Sequence, residues 1–508
     1  MKRLYGFFNS IHFIMTMALI INIAVFVAIA IFLDVYVYSL ICAGCVIIFL
    51  LLTMFSKNSP AVKLMIVLFM AILPLPATVI YIFLNVKRGS SLLRKNWHNI
   101  KYTLGEKLIQ NQDVLADMEK GVVNQVKLSK FVLATTNMPV YENSGLTYYP
   151  KADVYNKDLI EDLNGAKKSV LISLFKIASS DIWDEVFGIL KTKRLDGLDI
   201  KIVYDDYGCV GTFKDKHIFE KMKNHGIETL SFNKLKGVGT FSRYRNKKNI
   251  FIIDGKIAYC STLGINDDVL LDAKISKMCS VKIVGDAVKS VFSEFYSDWS
   301  LFSKEELNWE KYESDIIDVK NKKTTFIQPF VSTPFSIDLV NKSVYSCLIA
   351  NANKSLVIST PYLLLDEELR NELVRSVRSG VDVKVLIAGK GERTKKFKYI
   401  ISRYGFINLI KEGIKIYSYA TDNLFNRSII ADSQTAIIGG GAFDSRKMSV
   451  HFENGVLIHN EDIAKQIKDD IEQTMEVSHL LTIKDMRQRR IREKILGKIL
   501  NWFSPLYL

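Results

Sequence analysis

The sequence predicts an α/β protein in which two similar lobes pair as a pseudo-dimer, preceded by N-terminal transmembrane helices. Three observations carry this expectation. One unit of short β-branched runs and helical stretches occurs twice in the 508 residues, and such repetition marks a duplicated architecture. Its apolar runs have strand length and alternate with helical patterns, as buried strands in βα units do. The remaining apolar excess lies at one end, where residues 11–33 and 35–56 hold no Asp, Glu, Lys or Arg.

Each uncharged run is long enough to cross a ~30 Å hydrocarbon layer as a helix, which takes ~20 residues. Asp34 separates them in a short turn. Lys2 and Arg3 precede the first run, but it is too long for a signal peptide and no small-residue cleavage site follows, so it reads as an uncleaved anchor. Basic residues mark the cytoplasmic side. Lys2 and Arg3 place the N-terminus inside, and Lys57 and Lys63 return the chain there. A third uncharged run, 64–84, contains Pro74 and Pro76 and precedes Lys87, Arg88, Arg94, Lys95 and Lys101. A full crossing would put that basic cluster outside. A proline-broken, re-entrant hairpin keeps it inside. The anchor thus covers 1–90, with two spans and a re-entrant or third hydrophobic segment, and the lobes are expected in the cytoplasm.

The repeat follows a connector over 91–140. In the first lobe, 141–302, AKKSVLIS at 166–173 is followed by a helical stretch and GLDIKIVYDD at 197–206. In the second, 324–482, ANKSLVIS at 352–359 is followed by a helical stretch and GVDVKVLIAG at 380–389. GIETLSF at 226–232 then matches GIKIYSY at 413–419, and NIFIIDGKIAYC at 249–260 matches RSIIADSQTAII at 427–438. A charged segment, 303–323, links the lobes, and a basic tail, 483–508, follows them.

Composition narrows the function. With 49% apolar and 24% charged residues the chain is not a disordered one. A net charge of +15 attracts polyanions, either nucleic acid or an anionic membrane. The cysteines (42, 45, 209, 260, 279, 347) show no zinc or disulfide framework, and the histidines (12, 98, 217, 225, 451, 459, 479) show no zinc-ligand spacing. No metal and no cofactor is expected.

YDDYG at 204–208, IQPFVSTPFS at 327–336, STPYLLLDEEL at 359–369, GGGAFDSRKMSVHFENG at 439–455 and the apolar stretch 58–89 together resemble bacterial cardiolipin synthases of the phospholipase D superfamily. The resemblance implies two phospholipase D-like lobes, each with a His-x-Lys-x4-Asp motif and a Gly-rich turn ending in Asn. In that chemistry one His attacks the phosphodiester and the other protonates the leaving alcohol, then activates the incoming one. The Lys and Asn residues hold the phosphoryl oxygens.

This sequence departs from the pattern. In the first lobe Lys247 stands at the His position, Asn249 at the Lys position and Gly264 at the Asn position, while Asp254 is kept. In the second, Phe425, Arg427 and Ala442 replace His, Lys and Asn, while Asp432 is kept and Glu453 matches a family Glu. Phe425 has no group to attack phosphorus or move a proton. Lys247 would need a pKa several units below ~10.4. Asp254 and Asp432 have a structural reading as caps of neighbouring backbone groups. Arg427 retains a charge able to hold an anion bidentately.

The tail KDMRQRRIREKILGKILNWF at 484–503 places Ile491, Ile495 and Ile499 at four-residue spacing among Arg487, Arg489, Arg490, Arg492, Lys494 and Lys498. That is a basic amphipathic helix of the membrane-surface type, or else a helix packed on the second lobe with a solvated charged face. The expectation is a multi-pass protein of the bacterial inner membrane, belonging to phospholipid metabolism. Its transfer centre is expected to be silent, and its partners to be anionic phospholipid or an active paralogous synthase. The alternative is an active cardiolipin synthase, a phosphatidyltransferase converting two phosphatidylglycerol to cardiolipin plus glycerol with substitute residues drawn from Lys247, Arg427, Asp254, Asp432, Glu453 and His451. A scaffold without a lipid role is a third possibility. No nucleic-acid partner is expected, since aromatic–basic stacking motifs are missing.

Overall fold

The computed structural model describes residues 20, 24, 35–55, 63–64, 66–68, 70, 90–121, 123–142, 144–209, 217–234, 244–265, 276–303, 307–313, 325–336, 339–390, 396–421, 423–444, 448 and 450–502. The first expected span and the third apolar run lie largely outside these residues. The chain forms two compact units, one of 1–92, 235–243 and 499–508 and one of 93–234 and 244–498.

In the first unit, helix α1 (Val35–Met54) runs for 20 residues without a charged side chain. Ile47, Ile48, Leu51 and Leu52 on it are exposed. Phe49 and Ile66 pack against Met70. Among the described residues no helix is long and apolar enough to cross a membrane. The side chains at 35, 38, 41, 42 and 45 of α1 lie outside that description.

The second unit holds both lobes. Helices α2 (Ser90–Lys107), α3 (Gln112–Glu119) and α4 (Val123–Thr136) lead into it. The first lobe contains β1 (Ser144–Tyr149), α5 (Ala152–Gly165), β2 (Ser169–Leu174), α6 (Asp181–Leu195), β3 (Asp199–Asp205), α7 (His217–Asn224) and β4 (Glu228–Phe232). It continues with β5 (Arg245–Asn246), β6 (Asn249–Ile253), β7 (Ile257–Ser261), β8 (Ser280–Gly285) and α8 (Val288–Phe302). The short helix α9 (Trp309–Tyr312) lies in the charged linker, with both aromatics buried against Phe292. The second lobe contains β9 (Phe326–Ser332), α10 (Val340–Asn351), β10 (Ser355–Thr360), α11 (Glu367–Arg378), β11 (Asp382–Ile387), α12 (Lys396–Lys411) and β12 (Lys415–Ser418). Then come β13 (Ser428–Ala431), β14 (Thr435–Gly439), β15 (His451–His459), α13 (Glu461–Glu476), β16 (His479–Leu480), α14 (Ile483–Arg487) and α15 (Ile491–Trp502).

The two sheets repeat one topology. The first runs β1-β8-β7-β6-β2-β3-β4, and the second runs β9-β15-β14-β13-β10-β11-β12, with β16 beyond β12 and β5 also on β15. β2, β3 and β4 are parallel, as are β10, β11 and β12, and apart from the parallel β5–β15 contact the remaining strands pair antiparallel. This matches the expected duplication, with mixed rather than purely parallel sheets.

Side-chain alternation explains why the strands read as continuous apolar runs. Along β6, Ile250 and Ile252 join a core shared by both lobes, while Phe251 and Ile253 join the first lobe's own core. Along β10, Val357 faces the shared core and Leu356 and Ile358 the second lobe's own. Successive residues point to opposite faces, so both faces are covered and most positions are apolar.

Helix α8 runs through the shared core with most of its residues buried. Among them is Glu294, 1% exposed, whose two carboxyl oxygens have no hydrogen-bond partner. One turn on, Asp298 takes an ion pair from Lys248 at 2.7 Å. Asp298 also accepts from Asn246 Nδ2 at 2.8 Å. Glu294, Lys248 and Asp298 line a cavity of about 30 Å³ with Trp97, Lys101 and Phe452, large enough for a water. Burial pushes the Glu294 carboxyl well above its ordinary 4.5, with Lys248 opposing and Asp298 adding to the shift. An acid whose folded pKa is raised loses stability as pH climbs from its unfolded value toward its folded one. Glu294→Gln is therefore expected to unfold at a higher temperature than the parent at about pH 8. The gap should shrink as pH approaches 4.5, and thermal unfolding across pH in one detergent reads it.

Candidate functional site

The lobes exchange backbone hydrogen bonds at two places. β5 pairs in parallel with β15, Arg245 opposite His451 and Asn246 opposite Phe452. Lys247 N–H then donates to the Phe452 carbonyl at 2.8 Å. On the other side Lys277 bridges Leu424 in parallel, and Phe425 N–H donates to the Lys277 carbonyl at 2.7 Å. Strand register makes these one contact seen twice. Ser261 faces Ser280 in the first lobe as Gly439 faces Gly455 in the second, so Lys277 corresponds to Phe452 and Lys247 to Phe425. A pseudo-two-fold axis passes between the two bridges. Lys247 and Phe425 stand at equivalent points of the seam, where the resemblance implies the two His.

In the first half, the Lys247 ammonium lies 3.1 Å from the centroid of the Phe175 ring, a cation–π contact. Asn249 is buried. Its Oδ1 accepts from Phe175 N–H at 3.3 Å, and its Nδ2 donates to the Ser261 carbonyl at 3.5 Å. A Cβ at Gly264 would come within 3.1 Å of Asn249 Oδ1 and 3.4 Å of the Lys176 carbonyl oxygen. Residues 249 and 264 therefore share one small space. Nearby, buried Asp205 accepts from Gly208 N–H and Asn246 N–H, both at 2.9 Å, with Arg245 at 3.7 Å. Burial raises its carboxyl pKa against the opposing pull of Arg245.

In the second half, Arg427 Nη1 donates to the Gly440 carbonyl at 3.4 Å and lies 3.9 Å from Glu453 Oε1. Its Nε is buried without a partner. Glu453 Oε2 accepts from Asn341 Nδ2 at 3.1 Å. The Gly-rich turn is tightly enclosed. A Cβ at Gly440 would lie 2.4 Å from the Tyr345 hydroxyl, and one at Gly441 2.6 Å from Glu453 Oε2. Tyr345 itself donates to the Gly441 carbonyl at 2.8 Å. Ala442 completes this turn, and Phe443 N–H after it donates to Thr360 Oγ1 at 3.1 Å. By register the counterpart of Glu453 is Met278, a buried apolar residue.

Asp254 and Asp432 sit elsewhere. Each lies past the far end of its strand, about 17 Å of extended chain from Asn249 and Arg427 at ~3.3 Å per residue. The Asp254 carboxylate accepts from the N–H groups of Lys167, Lys168 and Ser169. Asp432 accepts from Asn353, Lys354 and Ser355 at 2.7–2.9 Å. Both Asp have positive φ (54° and 55°), as do the residues that follow, Gly255 and Ser433, which makes each hairpin a type I′ turn. Both carboxylates tie a hairpin to the start of a neighbouring strand and take no part in the seam. Of the histidines, His451 pairs with Arg245 at the seam. Buried His459 faces Ser129 and Thr435 at 3.0 and 3.1 Å, and burial pushes its pKa down to about 3, so it is neutral at physiological pH.

Residues 345–475 match the family model "Cardiolipin synthase, PLD-like domain". Cardiolipin synthase 2 of Staphylococcus epidermidis is 26% identical over 459 residues, 86% of this chain and 91% of the relative. A cardiolipin synthase of Clostridium perfringens is 28% identical over 386 residues, 73% and 78%. The chain is thus similar to cardiolipin synthases over most of its length, and its second lobe matches their phospholipase D-like domain. The crystal structure of a Haemophilus influenzae phosphatidylserine synthase superposes with a TM-score of 0.57 at 14% identity, covering 76% of this chain and 98% of that one, and supports the fold alone.

Within this cardiolipin-synthase-like frame, several residues at the site had gone unremarked in the sequence. Lys248 alternates away from the seam into the shared core, as parity with Ile250 and Ile252 requires. Phe175, Asn341 and Tyr345 carry no motif, and only the fold brings them to the seam. The structural reading of Asp432 has a direct consequence. Burial disfavours its charge, but the three backbone N–H groups outweigh that and hold its pKa below 3.8. Its contribution is present above that pH and is lost as pH falls below it. Asp432→Asn should cost about 1.5–3 kcal/mol, toward the lower end because the site is partly open to solvent. Denaturant midpoints measure it.

Proposed function

We propose that this chain is a membrane-bound bacterial homologue of cardiolipin synthase whose seam binds an anionic phospholipid headgroup without transferring a phosphatidyl group. One observation carries the reading. The two pseudo-equivalent seam positions hold a lysine stacked on Phe175 and a phenylalanine, so neither of these positions offers an imidazole. Forming and discharging a phosphoenzyme needs both a nucleophile and a proton carrier. Binding needs less. Arg427, with its Nε free of protein partners and Glu453 at 3.9 Å, keeps a guanidinium fork at the position from which the family holds phosphoryl oxygen.

Membrane attachment is part of the same reading. Read over its full sequence, including the five side chains outside the description, helix α1 has 20 uncharged residues, about 30 Å at 1.5 Å per residue, which matches a hydrocarbon core. With the run 11–33 it forms a pair of spans that leave the lobes in the cytoplasm. A reporter fused near residue 100 should read as cytoplasmic; an extracytoplasmic signal rejects this topology.

The full chain in phosphatidylglycerol vesicles should form no cardiolipin above a blank. Cardiolipin formation that is abolished by Lys247→Ala would overturn the silent reading in favour of an enzyme with substitute residues. If no turnover occurs, titration with glycerophosphoglycerol should show saturable binding that Arg427→Ala weakens by about tenfold or more. Binding untouched by that change rejects the seam as its site.

A further inference from the structure

The last helix presents a face that neither the second lobe nor the seam uses. Met486 on α14 is buried in the second lobe's core, and the chain then turns into α15. Gly497 on α15 is buried against α12, where a Cβ would lie 3.4 Å from both Ile400 Cγ2 and Tyr404 Cδ2. The missing side chain lets the two helices approach closely and fixes which face of α15 is hidden. At about 3.6 residues per turn, Ile491 and Ile495 stand about 120° and about 160° round the helix axis from Gly497. They are 73% and 55% exposed. Lys498 and Arg492, both exposed, flank this outward pair, one on each side.

The surplus charge here is positive. Residues 484–498 hold seven Lys and Arg against two acids, Asp485 and Glu493. Asp485 is committed to the capping box of α14, accepting from Thr482 N–H at 2.7 Å. Arg487, Arg490, Arg492 and Lys498 are exposed. Helix α15 also runs from one compact unit into the other. Its residues up to Lys498 belong with the lobes, and those from Ile499 belong with 1–92, the unit that contains the uncharged helix α1.

We propose that α15 is a second membrane contact of this chain, an interfacial helix whose Ile491 and Ile495 enter the headgroup boundary of an anionic bilayer while Arg492 and Lys498 lie among the lipid phosphates. This contact rests on the membrane attachment proposed above and is independent of the seam. An apolar strip flanked by Arg and Lys lies in the interfacial plane of an anionic membrane. An apolar protein surface would cover the two isoleucines but leave the flanking cations without counter-charge. An anionic bilayer supplies the apolar boundary and the phosphates together. Because Gly497 seats the helix on α12, the strip is held outward by the second lobe itself and needs no rearrangement to meet the lipid.

The full chain in lipid nanodiscs tests this by hydrogen exchange over residues 491–498. In discs containing phosphatidylglycerol these amides should exchange about tenfold more slowly than in discs of phosphatidylcholine alone, and added salt should narrow the difference. Arg492→Gln with Lys498→Gln should remove most of the difference, and both side chains are exposed, so the fold is kept. Ile495→Asp should remove it as well, while Arg427→Ala leaves it intact and so separates this surface from the seam. Equal exchange in the two kinds of disc overturns the proposal, as does a difference that survives the double change. Slowing found only in discs that hold two copies assigns the face to a second copy of the chain and overturns it too. Incorporation into the discs reports the attachment and slowed exchange reports this surface, so the two fail separately.

Discussion

Two short backbone bridges, Asn246 to Phe452 and Leu424 to Lys277, hold the seam in place. Each motif segment begins against the opposite lobe and ends in its own sheet, so neither lobe sets its own motif geometry alone. The first bridge is backed by buried polar contacts. Asn246 donates to Ser173 and Asp298, and Lys248 pairs with Asp298. Such groups are costly to bury unless they are paired, so the lobes must meet in this register for the network to form. Side-chain parity then follows from the bridge. Lys247 and Asn249 turn toward the seam, and Lys248 turns toward the shared core.

The substituted residues at the seam fit one another. Asn249 occupies the space that a side chain at 264 would need, and Gly264 supplies none. Lys247 rests on Phe175, whose own N–H is held by Asn249. In the second half Arg427 reaches both the Gly440 carbonyl and the neighbourhood of Glu453. A seam that had merely lost side chains would show gaps or orphaned donors throughout. Here the first half is closed by a reciprocal set of contacts, and the free donor is confined to Arg427 among these substituted positions.

The duplicated fold was legible because it is written in periodicity. Strands buried on both faces read as uninterrupted β-branched runs, and the pairing of Ile250 with Cys260 and of Ser428 with Ile438 falls within segments matched by the repeat. The motif positions were legible because they lie at fixed distances from Asp254 and Asp432, which mark the hairpins. What the sequence did not disclose depends on three-dimensional meeting. The equivalence of Met278 and Glu453 appears only through the strand register within each lobe. Phe175 and Tyr345 reach the seam from separate elements. Glu294 reads as an ordinary surface-type residue in VFSEFYSDW, yet its helix is buried on nearly every side. The tail shows the same limit: four-residue spacing revealed the stripe, but Gly497 against Ile400 decides which face is hidden.

The asymmetry between the halves distinguishes binding from reaction. A transfer reaction through a phosphoenzyme requires both halves, one to attack and one to shuttle the proton, and they must face a single phosphorus. Binding requires only that one half keep donors pointed at the anion. The first half has turned inward: its amide donors are engaged by its own backbone and its ammonium by an aromatic ring. The second half keeps a guanidinium with a free Nε, a buried carboxylate nearby and a glycine turn too tightly enclosed for any larger residue. Phe425, at the position equivalent to Lys247, is apolar where the family reaction would have needed a polar group.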